Sequence, residues 1–333
     1  GGGKAPFPML PGRLGARMDL LCGDIGGTST RLALWQNGAL KLERVYPSTS
    51  FSSLETPLRE WLAEVPLRPT SACLGVPGPV VGNRCVTTNL PWVVDGEELS
   101  FKLGFPVRLI NDFHAAARGI SLLDETDRVQ IRAGDGLPGA PVAVLGAGTG
   151  LGQAHIVGTQ VLPGEGGHSD FAPANALERD LAAWLETRVG LRPPEATAPH
   201  VCWEDVLSGP GLLNIHLFLC ARRGRPEPWW VNEPDAPARV SEVDPEAVRM
   251  FWGFYGAEAG NMALRLLTRG GVYLCGGIAP RLLDALPGSD FEQRFSQKGA
   301  LSHALEGIPV FVVRHPSLGL LGAAAEGILQ EKH

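Results

Sequence analysis

Three glycine-rich turns mark the places where this chain's backbone can meet a charged ligand. Asp24-Ile25-Gly26-Gly27-Thr28 closes an apolar run that begins near residue 18; residues 146–152 separate two further runs; Gly276-Gly277-Ile278 follows another. Glycine lets successive N–H groups converge on an anion, and Thr28 adds a hydroxyl donor. A single Gly-Gly pair is as readily an ordinary hairpin turn, but three such turns in this order make phosphate cradles the better reading. Two other phosphate motifs fail on spacing. A GxGxxG pattern opening at Gly146 needs glycine where Leu151 stands, and no Gly-Lys-Ser/Thr occurs. Only five lysines are present and none lies in these turns, so a lysine grip on phosphate is not expected.

The turns need rigid elements behind them. Residues 18–23, 31–36 and 40–46 read as an antiparallel meander, and 72–76 and 107–110 as further strands. Residues 53–65 have helical apolar spacing through Leu54, Leu58, Trp61 and Leu62. A helix is expected over 115–123, and Asp112, read alone, is a plausible cap for it. Strands at 142–145 and 153–157 flank the second turn. Helices follow at 176–189, 203–207, 211–221 and 245–268, then strands at 272–275 and 310–314 and a last helix at 318–330. Small and apolar residues on several faces of 245–268 predict deep burial. Mixed strands lead each half with helices behind them, which makes the chain α/β or α+β with two lobes.

Composition narrows the function classes. The 333 residues are 44% hydrophobic and 19% charged, with a net charge of −6. That is too apolar for a disordered chain, and without a basic block it does not suit a nucleic-acid surface. No apolar run reaches the ~18 residues of a membrane span. Six scattered cysteines show no ligand spacing and read as buried, reduced thiols. Residues 1–17, rich in Gly and Pro, are expected to be an added or flexible extension rather than a signal peptide.

Together these segments resemble the actin-like sugar kinases, and within them the bacterial glucokinase family. The resemblance is carried by Gly23-Asp24-Ile25-Gly26-Gly27-Thr28, Leu109-Ile110-Asn111-Asp112-Phe113, the 146–152 turn, Leu162-Pro163-Gly164-Glu165-Gly166-Gly167-His168, Leu207-Ser208-Gly209-Pro210-Gly211, Gly276-Gly277-Ile278 and Gly319-Leu320-Leu321-Gly322. It implies a two-lobed, actin-like (ribonuclease H-like) α/β fold with a cleft between lobes, closing on sugar. The small lobe would comprise 18–122 plus 316–333, and the large lobe 123–315.

The resemblance also implies roles. Asp112 becomes the general base that takes the proton of the glucose 6-hydroxyl as that oxygen attacks the γ-phosphorus of ATP. Asp24 would orient hydrated Mg²⁺, which gives up water reluctantly. Gly23, Asp24, Ile25, Gly26, Gly27, Thr28, Gly148, Thr149, Gly276 and Gly277 form the ATP site. Asn111, Asp112, Glu165, His168 and Glu204 form the sugar site, with Asn89 as a weaker addition. A cytoplasmic homodimer is implied as well.

Three other readings compete. Another hexose or N-acetylhexosamine kinase would use the same scaffold with different contacts at carbon 2. A sugar-sensing regulator would carry a DNA-binding helix pair, for which 17 Gly/Pro-rich residues leave no room. An actin-like ATPase or chaperone would have no use for Glu165 and His168. Residues 222–245 read as an excursion without an assigned chemical role.

Overall fold

A computed structural model gives the fold and describes residues 19–190 and 197–330; the expected extension at 1–17 lies outside them. The chain opens with β1 (Leu20–Ile25), β2 (Ser29–Gln36) and β3 (Ala39–Pro47), the expected meander. Next come α1 (Glu55–Glu64), β4 (Ser71–Val76), β5 (Val80–Val81), β6 (Arg84–Val86), β7 (Val93–Asp95), α2 (Gly96–Leu103), β8 (Val107–Asn111) and α3 (Asp112–Gly119). The main sheet runs β3-β2-β1-β4-β8, with β1, β4 and β8 parallel. Strand alternation sorts β1 between two cores. Leu21 joins Leu32, Trp61 and Leu74 on one face, and Cys22 joins Ala33, Cys73 and Ala115 on the other. The outer strand β3 carries Lys41, Glu43 and Arg44, charges that discourage edge pairing.

A second sheet, ordered β12-β11-β10-β13-β14-β9, holds β9 (Arg128–Arg132), β10 (Val142–Ala147), β11 (Leu151–Val157) and β12 (Gln160–Gly164). Helices α4 (Ala176–Val189), α5 (Gly209–Arg222), α6 (Ala236–Val243) and α7 (Pro245–Leu266) follow, then β13 (Gly271–Cys275), α8 (Ile278–Arg281), α9 (Phe291–Ser296) and β14 (Val310–Val313). As its composition suggested, α7 is buried along most of its length. It stops where Leu267 turns left-handed at φ 47°. Within the excursion at 222–245, Trp230 stacks on buried His216, and the His216 Nδ1 lies 2.7 Å from Asp244 Oδ2. Trp229 remains 79% exposed. One tryptophan therefore covers core while its neighbour faces solvent.

The last helix, α10 (Leu318–Gln330), packs on α3, β1 and β4. Two glycines set that approach. A side chain on Gly322 would stand 1.6 Å from the Ala115 carbonyl, and one on Gly119 would stand 2.5 Å from that of Leu318. Nearby, the buried Glu326 carboxylate accepts from Arg118 Nε at 2.7 Å, with His114 Nε2 at 3.5 Å. Burial alone would raise its pKa. The His114 contact and the Arg118 charge outweigh that and bring it down to about 2.

By contacts the described residues form two units. One comprises 19–128, Gly158–Pro163 and 315–330; the other comprises Val129–Val157 and Gly164–Arg314. All six cysteines are free and buried, and burial pushes Cys73 and Cys275 up to about 12. Thiols of that kind are poor nucleophiles. Among the described residues no helix is long and apolar enough to cross a membrane.

Candidate active site

In the first unit, β1 runs into the turn Gly26-Gly27-Thr28. The turn is closed by Gly26 N–H on the Ser29 carbonyl at 2.8 Å, and Ser48 braces it by donating to the Gly26 carbonyl at 2.7 Å. Neither glycine has a positive φ, so what they supply here is space. A Cβ on Gly27 would come within 2.9 Å of the Asn89 Cβ. Thr28 and Asn89 are both exposed, whereas Gly23 and Ile25 are buried in β1 and serve to carry the turn.

Asp112 and Asp24 stand on the same edge of this sheet. Asp24 pairs in register with Gly75 of β4, and Val76 beside it pairs with Asn111 at the end of β8. Asp24 and Asp112 are therefore about two strand spacings apart at the backbone, roughly 10 Å. Gly75 lets α3 settle onto the sheet, with Asp112 Cα 3.6 Å from the position a Cβ would take. Read alone, the sequence offers Asp112 as a plausible helix cap, and the structure gives that place to its neighbour. Asn111 is the cap, its Oδ1 accepting from Phe113 N–H at 3.0 Å and His114 N–H at 3.1 Å. Its amide nitrogen also donates to the Gly78 carbonyl at 3.0 Å. Asp112 instead opens the helix, and its Oδ1 accepts from Phe113 N–H at 2.8 Å. Asn111 thus fixes the start of α3, with Asp112 as its first residue.

Electrostatics single out Asp24. Burial first and the neighbouring Asp112 charge second push its pKa from 3.8 up to about 6, with Glu43 adding to the rise and Arg31 opposing it. An anionic niche with one nearby cation suits a hard divalent ion, whose charge would relieve both carboxylates. Among the described residues no group of three His, Cys, Asp or Glu is placed to hold a metal. A cation beside Asp24 would therefore take most of its ligands from water and phosphate, which fits an anchoring role through water.

In the second unit, the turn between β10 and β11 is tighter than residues 146–152 suggested. Ala147 pairs with Leu151, so only Gly148-Thr149-Gly150 projects, with Thr149 exposed. The third turn opens at Gly276, where a φ of 88° and the 2.4 Å at which an added Cβ would meet the Ala147 carbonyl oxygen both require glycine. Tyr255 ties the two turns together. Its hydroxyl accepts from Ala147 N–H at 3.1 Å and donates to the Cys275 carbonyl at 3.4 Å. The sequence reading missed it. Its one signal was a tyrosine inside an apolar helix, since a buried hydroxyl must find a partner.

Glu165 and His168 are exposed on a short turn, with His168 N–H donating to the Glu165 carbonyl at 3.0 Å. That turn lies flat on β11. A side chain on Gly167 would hit the Leu151 carbonyl at 2.2 Å, and one on Gly166 would hit Gln153 Oε1 at 1.9 Å. Gln153 is itself held by Glu258, fully buried, at 2.8 Å. Neither of these supporting residues was visible in the sequence. Glu204 Oε2 accepts from Leu151 N–H at 2.8 Å, and Ser208, the cap of α5, donates to the Glu204 carbonyl at 2.7 Å. One carboxylate oxygen of Glu204 thus holds the Gly148-Thr149-Gly150 turn.

Comparison with known proteins gives the same picture. The Glucokinase family model matches residues 21–329. A glucokinase of Nostoc sp. is 38% identical, over 92% of this chain and 97% of its own length. The crystal structure of a glucokinase from an Antarctic psychrotroph is 34% identical with a TM-score of 0.79, covering 92% of this chain and 97% of that one. A ROK family glucokinase from Streptomyces griseus, solved with glucose and AMPPNP, shares the fold at 18% identity and a TM-score of 0.62, over 92% and 98% of the two chains. With the Glucokinase family model spanning nearly the whole chain and a relative 38% identical over 92% of it, the chain belongs to the glucokinase family.

Proposed function

We propose that this protein transfers the γ-phosphoryl group of ATP to the 6-hydroxyl of D-glucose, giving glucose 6-phosphate and ADP. The observation that carries the reading is Asp112, the first residue of α3 behind the Asn111 cap, on the sheet edge it shares with Asp24 and the Gly26-Gly27-Thr28 turn. The sugar oxygen forms the new bond to the γ-phosphorus, the bond to the ADP oxygen breaks, and the hydroxyl proton passes to the Asp112 carboxylate. Such a transfer needs positioning and charge neutralisation more than covalent help. Mg²⁺, when bound, neutralises the β- and γ-phosphates. Asp24 would orient its water shell, and Thr28, Thr149 and turn N–H groups other than those of Gly26 and Gly148, which close their own turns, would donate to phosphate oxygens.

Glu165, His168 and Glu204 would take sugar hydroxyls, with Asn111 and Asn89 as further partners. A site of polar groups rejects a sugar that leaves them unpaired. The family, its relatives' names and the S. griseus complex with glucose and AMPPNP support glucose and ATP over another hexose. Free buried thiols accord with a reducing cytoplasm, and we extend the family resemblance to a homodimer. Replacing Asp112 with Ala tests the mechanism. Turnover should fall by about 10²–10⁴-fold or more while calorimetric binding of ATP persists; retained turnover would remove Asp112 from the role of base.

A further inference from the structure

Helix α10 meets the end of β1 through a glycine. A Cβ built on Gly319 would lie 2.6 Å from both Cγ and Oδ2 of Asp24 and 2.9 Å from Oδ1. The three closest atoms are one entire carboxylate group, so the Asp24 side chain lies against the bare Cα of Gly319. Arg31 on β2, Glu43 on β3 and Asp112 on α3 supply the other charges around it. We propose that Gly319 is a positioning residue for phosphoryl transfer: its missing side chain sets where the Asp24 carboxylate stands. The proposal rests on the reading of Asp24 as the anchor of the hydrated cation.

The other glycines at this interface differ in what they face. Gly322 meets the backbone of Ala115, Gly119 the backbone of Leu318, and Gly327 the packed side chain of Leu20. A methyl group at any of those sites would force helix or core apart. At Gly319 the obstacle is the end of a short polar side chain, which can rotate away while the helix stays in place. Alanine also favours the helix over glycine. A substitution there should therefore spare the fold and displace the carboxylate. The position also lies in the first turn of α10, whose N–H groups the helix does not satisfy internally and which favours an anion.

The test compares wild type, Gly319→Ala, Asp24→Ala and the double variant by calorimetric titration of AMP-PNP at varied Mg²⁺, and by denaturant unfolding of the ligand-free proteins at one pH. For Gly319→Ala, the Mg²⁺ needed for half-maximal nucleotide binding should rise about ten-fold or more, with glucose affinity unchanged. In the Asp24→Ala background the same substitution should add nothing to the Mg²⁺ requirement, and its few-fold destabilising contribution to the unfolding constant should vanish, leaving the gain from alanine's helix propensity. If Gly319→Ala fails to fold, the double variant, whose obstructing carboxylate is gone, should fold. Wild-type Mg²⁺ dependence in Gly319→Ala, independent effects of the two substitutions, or misfolding of both Gly319→Ala proteins would overturn the proposal. Unchanged Mg²⁺ dependence in Asp24→Ala would instead overturn the anchor reading on which it rests, and the unfolding cycle would still report the contact.

Discussion

Asp24 should cost the ligand-free protein stability, and replacing it with Asn should recover some of it. In the folded chain burial and the Asp112 charge hold its pKa at about 6 against an ordinary 3.8. The folded carboxyl therefore binds a proton more tightly than the unfolded one. Its contribution to stability is fully present below pH ~4, is lost as the pH rises through about 6, and is absent above. A gap of roughly two pH units corresponds to about 3 kcal/mol at neutral pH. Asn keeps the shape without the charge, so Asp24→Asn should gain up to about 3 kcal/mol at pH 7 and little near pH 4. Denaturant unfolding of both proteins without ligand between pH 4 and 7.5 measures the difference directly. Kinase activity should fall in the same variant, because the charge that destabilises the empty site is the one proposed to hold the cation. A variant less stable than wild type at pH 7, or a stability difference that does not change with pH, would refute the reasoning.

Other outcomes follow from the same geometry. Glu165→Gln and His168→Ala should raise the glucose KM by roughly ten-fold or more while leaving the ATP KM near wild type, since an unpaired sugar hydroxyl costs about 1–3 kcal/mol; unchanged sugar kinetics would remove both residues from the sugar site. Glu326→Gln should destabilise the protein by about 3 kcal/mol at pH 7, because a folded pKa near 2 against 4.5 stabilises the ionised form by that order. In the wild type this contribution is present above pH ~4.5 and lost as the pH falls toward 2. Acid unfolding curves of the two proteins should therefore converge at low pH, and a constant gap between them would contradict the ion pair's role.

Much of the fold was legible because local patterns carried it. Helix α4 begins and ends, and α10 begins, where periodicity set them, and the meander β1–β3 follows from alternation and two short turns. The glycine turns were legible as special places, but their geometry was not. Gly26 and Gly27 are needed for room rather than for left-handed backbone, and pairing of Ala147 with Leu151 shortens the second turn. The helix cap went to Asn111 because both residues of an Asn-Asp pair are good caps, and where β8 ends decides which one is used. Tyr255, Gln153, Glu258 and Gly319 act over long sequence separations. The first three look like ordinary core in their local windows, Gly319 stood out only as part of a family segment, and only the fold brings each against a site residue or its support.

The central claim is the transfer of phosphate from ATP to the glucose 6-hydroxyl, and one experiment addresses it most directly. ADP formation from Mg-ATP should be followed with the purified protein and glucose, mannose, fructose, galactose or N-acetylglucosamine as separate acceptors. Turnover with glucose far above the other sugars is the expected result. Turnover highest with another of these sugars would contradict the substrate while keeping the mechanism, and no turnover with any of them would contradict the claim itself.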